Sequence, residues 1–243
     1  MGSGAVLPAD QPLYELVRGA APATIPEVIE RMQAIDALLQ VSDGIKWFNR
    51  LYLMVTQQVD LEPPGGTWQS PVWFASLDVN FAALYFGALR GFLSGEAVPN
   101  AWRALFEARY RMDVDRIQFA LAGMNAHINR DLALALLATD AGLNVVPAAD
   151  SAEHADYQAV NGLLNSVMPA ALTMLATDVL GVLAQDTGKI GRVLAFWDIC
   201  KARELAWDFA DHLRSLPGLS RDAALYAQDA MTGALGRAIL SAV

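Results

Sequence analysis

Apolar side chains recur every three or four positions along nearly the whole chain, and no stretch alternates apolar with polar in the two-residue rhythm of a half-buried strand. This pattern predicts helix throughout, in roughly eight pieces. Thr24 followed by Pro26 and Glu27 has the form of an N-cap with proline in the first turn, and starts a helix reaching about Gln40. Ser42 starts a second, to about Val59. The run Glu62-Pro63-Pro64-Gly65-Gly66 reads as a loop delivering Trp68 and Trp73 to a helix over about 74–94, which Gly95 closes. Further helices are predicted over about 99–111, 114–141, 151–185, 189–215 and 220–242, with Gly142, Pro147, Gly188 and Pro217-Gly218 as breaks. Pro169 is expected to kink or split its helix, because it lacks an N–H and its ring meets the preceding turn. With no internal repeat and no linker, the expectation is an all-α, single-domain bundle of roughly eight helices around a buried central helix.

Composition sharpens that picture. Hydrophobic residues make up 54% of the 243 and charged ones only 18%, so several helices should be covered on more than one side. A formal charge of −9 with no cluster of Lys and Arg disfavours nucleic acid and anionic membranes as partners. One cysteine, Cys200, leaves no internal disulfide or Cys-rich zinc site and fits a reducing compartment, so the cytoplasm is expected. Met1-Gly2-Ser3-Gly4 resembles a tag remnant rather than a signal peptide, and residues 1–10 are expected to stand outside the fold. Val72 to Leu93 is apolar enough to tempt a membrane reading, but Asp78, Asn80 and Arg90 within it favour a buried helix.

The chemistry lies where polar groups fall on apolar faces. At about 100° per residue, Gln118, Asn125 and Asn129 share one stripe of the 114–141 helix, while His127, Arg130 and Asp131 lie opposite, with apolar residues on both flanks. Such a helix has no plain solvent face, so its polar groups must be bonded, paired or turned into a wet cavity, because stranding a buried amide costs about 1–3 kcal/mol. His127 and Asp131, four apart, can touch, and a carboxylate so placed orients an imidazole and raises its basicity. The bland alternative is a buried histidine satisfied by its neighbour. Asp78 shares a stripe with Phe74, Ala82, Tyr85, Leu89 and Phe92, and a carboxylate there needs a cation or a hydrogen-bond donor. Arg130, His127 and Arg203 are the inward candidates. A third cluster opens the 151–185 helix, where Asp150 and Glu153 have capping-box spacing, His154 sits in the first turn, and Tyr157 and Asn161 continue its stripe. His212 lies beside Asp208 and Asp211 on an acidic face and reads as a surface residue. The tryptophans read as core fillers, apart from Trp68, a candidate lid.

Phosphate-binding, dinucleotide, G-x-S-x-G and H-E-x-x-H motifs are all missing, as is the paired Glu-x-x-His of di-iron bundles. The strings Trp47-Phe48-Asn49-Arg50-Leu51-Tyr52, Leu77-Asp78-Val79-Asn80-Phe81, Gln118 through Leu132, His154-Ala155-Asp156-Tyr157 and Ala202-Arg203-Glu204-Leu205-Ala206-Trp207 resemble domain-of-unknown-function family 5995, common in actinobacteria. The resemblance spans about residues 40–215 and implies a bacterial helical protein without supplying an activity. That these strings hold the buried polar groups favours a shared site over private packing quirks.

The leading expectation is an enzyme acting on a small, largely apolar substrate by hydrolysis, cyclisation or isomerisation, with no cofactor. In it His127 is the acid or base, Asp131 orients it and Asp78 balances charge. Asn125, Asn129, Arg130, His154, Tyr157, Asn161 and Arg203 bind substrate. A second reading makes His127, Asp131, His154 and, at a stretch, Asp78 the ligands of one divalent metal ion. A third is a noncatalytic binder of an apolar ligand. A fourth has the polar network holding helix register in an oligomer, and the chain leaves room for a homodimer.

Overall fold

Thr24 caps its helix as its position demands: the side chain accepts a hydrogen bond from the Glu27 N–H and Pro26 sits in the first turn. The computed structural model describes residues 6–61, 67–176 and 198–241. A 3-10 turn, Pro8–Asp10, leads into α1 (Gln11–Val17), then α2 (Ile25–Leu38), α3 (Gly44–Leu61), α4 (Pro71–Leu93) and α5 (Asn100–Ala108). They are followed by α6 (Arg116–Ala126), α7 (Leu132–Leu143), α8 (Ala152–Leu175), α9 (Ile199–Ser215) and α10 (Gly218–Ser241). A π-helical turn, His127–Asp131, joins α6 to α7 without a break, and among the described residues there is no strand.

Several local expectations change. Helix α1 is an addition, placing Leu13 and Val17 in the core, and Asp10 just before it lies 3.2 Å from the guanidinium of Arg109. Of residues 1–10, expected outside the fold, the first five lie outside the described residues, whereas Pro8–Asp10 is ordered as a 3-10 turn with Asp10 buried. Helix α8 runs on through Pro169 instead of splitting. Its predicted extension to 185, and the start of the next helix at 189, fall outside the described residues. Its cap is Ser151, whose side chain accepts from the His154 N–H, and not Asp150. Glu153 instead accepts from the Ser70 hydroxyl at 2.9 Å.

The α6–π–α7 rod is the centre of the bundle. Every residue from Ile117 to Ala126 is buried, and α3, α5, α8 and α10 pack on α6 while α4 and α9 pack on α7. Close approach is bought with glycine: a Cβ on Gly123 would sit 2.3 Å from Phe48 of α3. Helix α4, although long and apolar enough to cross a membrane, buries Trp73, Phe74, Leu77, Tyr85 and Leu89 in this core. Burying side chains of that size is worth about 1.5–3 kcal/mol each. Helix α10 closes the bundle. Its Asp229 carboxylate accepts from the Asn100 and Ala101 N–H groups at 2.9 and 3.2 Å, satisfying the free donors at the start of α5.

Candidate active site

A π turn spreads five residues over one loop of helix, and such turns recur at functional sites because they re-aim side chains within an otherwise rigid rod. Here the turn holds His127 and Asp131. The Asp131 carboxylate is buried and met by three donors. Trp102 Nε1 lies 2.8 Å and His127 Nδ1 3.3 Å from Oδ2, and Arg130 Nη1 lies 2.5 Å from Oδ1. Arg130 is itself tied to Asp229 of α10 at 3.2 Å. Because Asp131 can only accept, Nδ1 of His127 carries the proton and Nε2 presents its lone pair. The ring is clamped: Phe81 stacks flat on it at 3.5 Å, and Tyr52 meets it edgewise at 4.6 Å. Burial pushes the His127 pKa below its usual 6.5, opposed by Asp131, so the imidazole is neutral at neutral pH.

Nε2 of His127 has no protein partner, and neither do Tyr52 Oη nor Asp78 Oδ2. All three residues line one cavity of about 60 Å³, walled otherwise by Thr56, Arg203 and apolar side chains such as Phe74, Leu77, Met124 and Leu164. At roughly 10–15 Å³ per water, that space holds a few waters or a small ligand group. The fourth partnerless buried atom among the described residues, Arg214 Nε, lies elsewhere. Burial raises the Asp78 carboxyl to about 7, with Asp60 adding repulsion. It also lifts the Tyr52 phenol well above its usual 10, so Tyr52 stays a donor. The ion pair expected between Asp78 and Arg130, His127 or Arg203 does not form: among the described residues Asp78 pairs with no cation. Its helix stripe instead delivers it to the cavity wall.

Arg203 reaches the same cavity from α9. Its Nε donates to Asn161 Oδ1 at 2.9 Å and Nη2 to the Tyr157 carbonyl at 2.6 Å, with the guanidinium 4.3 Å above the Tyr157 ring. No carboxylate among the described residues faces it, and burial lowers its pKa.

With this geometry in view, the family model described as a family of unknown function (DUF5995) matches residues 25–242. The chain belongs to that family. No curated protein and no solved structure matches it. Tyr52, Asp78, His127 and Arg203, four of the five polar residues lining this family member's cavity, each fall in a string that carried the resemblance; the fifth, Thr56, does not.

The other sequence-predicted residues lie around the cavity rather than in it. Asn125 Nδ2 donates to the Thr232 carbonyl, Asn129 Nδ2 donates to Asn125 Oδ1, and Gln118 Nε2 reaches the Ile239 carbonyl. That stripe fastens α10 to the central rod, and Arg130 does the same through Asp229. Tyr157 and Asn161 hold Arg203. His154 turns away: Nδ1 is 2.7 Å from the Ala149 carbonyl, and the ring packs 4.5 Å from Trp207. The set His127, Asp131 and His154 is therefore not brought together, and among the described residues no three His, Cys, Asp or Glu side chains are grouped as a metal needs. His212 is exposed, and Trp68 stacks 3.7 Å from Phe74, a cavity-wall residue.

Tyr52 and Thr56 are the polar cavity residues that sequence reasoning did not single out. A tyrosine on the apolar face of an amphipathic helix looks like a core filler, and nothing local shows that its hydroxyl lacks a partner.

Proposed function

We propose that this protein is an enzyme that moves protons on a small, largely apolar substrate held between α3, α4, the central rod and α8. The observation that carries the reading is the convergence of three partnerless buried polar groups, on Tyr52, Asp78 and His127, on one apolar cavity. Leaving such groups unpaired costs about 1–3 kcal/mol each, a cost a bound substrate would recover.

His127 Nε2 is the base. Asp131 is a positioning residue that fixes the tautomer and stabilises the imidazolium formed when Nε2 takes a proton. Asp78, still half protonated near pH 7, is the acid, and the Tyr52 hydroxyl donates to oxygen bearing developing negative charge. A base and an acid on one cavity fit an isomerisation best: His127 removes a proton next to a carbonyl, and Asp78 returns one at a second position. Neither step asks for a cofactor.

The test is deuterium wash-in from D2O, followed by proton NMR, across a panel of enolisable ketones and acyl compounds with apolar chains. Exchange by the wild-type protein that falls by two orders of magnitude or more in a folded His127→Ala variant supports the reading. No exchange across the panel, or equal exchange by the variant, removes it.

A further inference from the structure

A second cavity of about 50 Å³ adjoins the first, and the described residues lining it are all apolar. The two share Val55, Met124 and Leu164, one residue from each of three helices. The order along those helices is consistent. On α3, Leu51 lines the second cavity and Val59 the first; on the central rod, Leu121 lines the second and Ile128 the first. On α8, Val160 lies at the first and Leu175 at the far end of the second. The pair thus lies end to end along the bundle, meeting at a Val55–Met124–Leu164 neck. At 1.5 Å per residue, the 15 steps from Val160 to Leu175 make it about 20 Å long.

Long, narrow and dry at one end is the shape of a hydrocarbon chain rather than of a ring system. The polar end says what the chain carries. Arg203 is only 7% exposed, its guanidinium is charged at neutral pH, and its acceptors among the described residues are neutral groups. Its Nη1 makes no hydrogen bond to the described protein. A buried guanidinium with no counterion among the described residues is a strong demand for an anion, and a carboxylate matches its fork.

We propose that the ligand is a single-chain monocarboxylate, its carboxylate on Arg203 and its hydrocarbon tail running through the neck into the second chamber. This deepens the acid–base reading and rests on it for the chemistry: such a ligand lays the part of its chain nearest the carboxylate past His127, Asp78 and Tyr52.

The test is calorimetric titration of the wild-type protein at pH 6.5 with acetate, hexanoate, octanoate and decanoate, and with decanol, all below their micellar concentrations. Expected are no measurable heat with acetate, a gain on the order of threefold per added methylene, and decanoate at least tenfold tighter than decanol. Arg203→Gln should erase the preference for carboxylate over alcohol. Leu164→Trp, which blocks the neck without touching the Arg203 bonds, should erase the gain with length. Decanoate binding no tighter than decanol, or affinity flat with chain length, overturns the proposal. His127→Ala should keep decanoate binding, so an intact ladder without deuterium exchange would leave this ligand class standing and remove only the catalytic reading.

Discussion

Tyr157 and Arg203 hold each other at both ends: the tyrosine hydroxyl donates to the Arg203 carbonyl at 2.6 Å while the Arg203 guanidinium donates to the Tyr157 carbonyl at 2.6 Å. The exchange bolts α9 to α8 and aims a cation at the cavity, so one pair of residues serves packing and site together. Tyr157→Phe keeps the ring and removes the second of two donors to the Arg203 carbonyl, which still accepts from its own helix. The expected loss is about 0.5–1.5 kcal/mol in urea unfolding, with looser Arg203 geometry and weaker carboxylate binding.

Asp131→Asn should be costly twice over. It leaves Arg130 facing an amide, and breaking a buried ion pair this way costs about 3–5 kcal/mol. An amide NH2 donating to Nδ1 would also move the proton to Nε2 and remove the base. Deuterium exchange should fall by about two to four orders of magnitude, and the pH profile, unlike that of a merely destabilised protein, should lose its acid limb.

Asp78 makes stability depend on pH in a direction that can be worked out. Its folded-state pKa of about 7 lies above the ordinary 3.8, so between those values the folded chain holds a proton that the unfolded chain has released. This contribution is complete below about pH 4 and is lost as pH rises to about 7, at up to about 1.4 kcal/mol per pH unit. Thermal melts of Asp78→Asn against wild type should show the variant gaining steadily over that window and holding its advantage above it.

The same groups set the rate profile. His127 must be neutral to act as base, and its pKa is depressed below 6.5, while Asp78 must keep a proton that it loses around pH 7. Exchange activity should therefore trace a bell whose alkaline limb lies near pH 7, and Asp78→Asn should lose that limb along with most of the activity.

The asparagine stripe is expected to act on the fold alone. Asn125→Leu removes the bond from the central rod to the Thr232 carbonyl, and Gly233→Ala drives a Cβ to 2.7 Å from the Asn100 carbonyl oxygen. Each should destabilise the protein by about 1–3 kcal/mol and raise proteolysis of α10, leaving decanoate binding per folded molecule unchanged. Had these amides held register between subunits, Asn125→Leu with Asn129→Leu would have preserved or raised stability.

Much of this was legible in the one-dimensional pattern. Three- and four-residue periodicity, Thr24 with Pro26, and the apolar flanks of the 114–141 segment specify helices and a buried central rod, because those signals act within a turn or two of chain. The His127–Asp131 contact was legible for the same reason, being local to one face. The fates of the polar groups on those apolar faces were not. Asn125 and Asp78 look alike in sequence, each a polar residue on a greasy face, yet one meets a carbonyl more than a hundred residues away and the other meets an empty space. Partnership across helices depends on which faces meet, at what rotation and around what π turn, and that is settled only when all the helices pack at once.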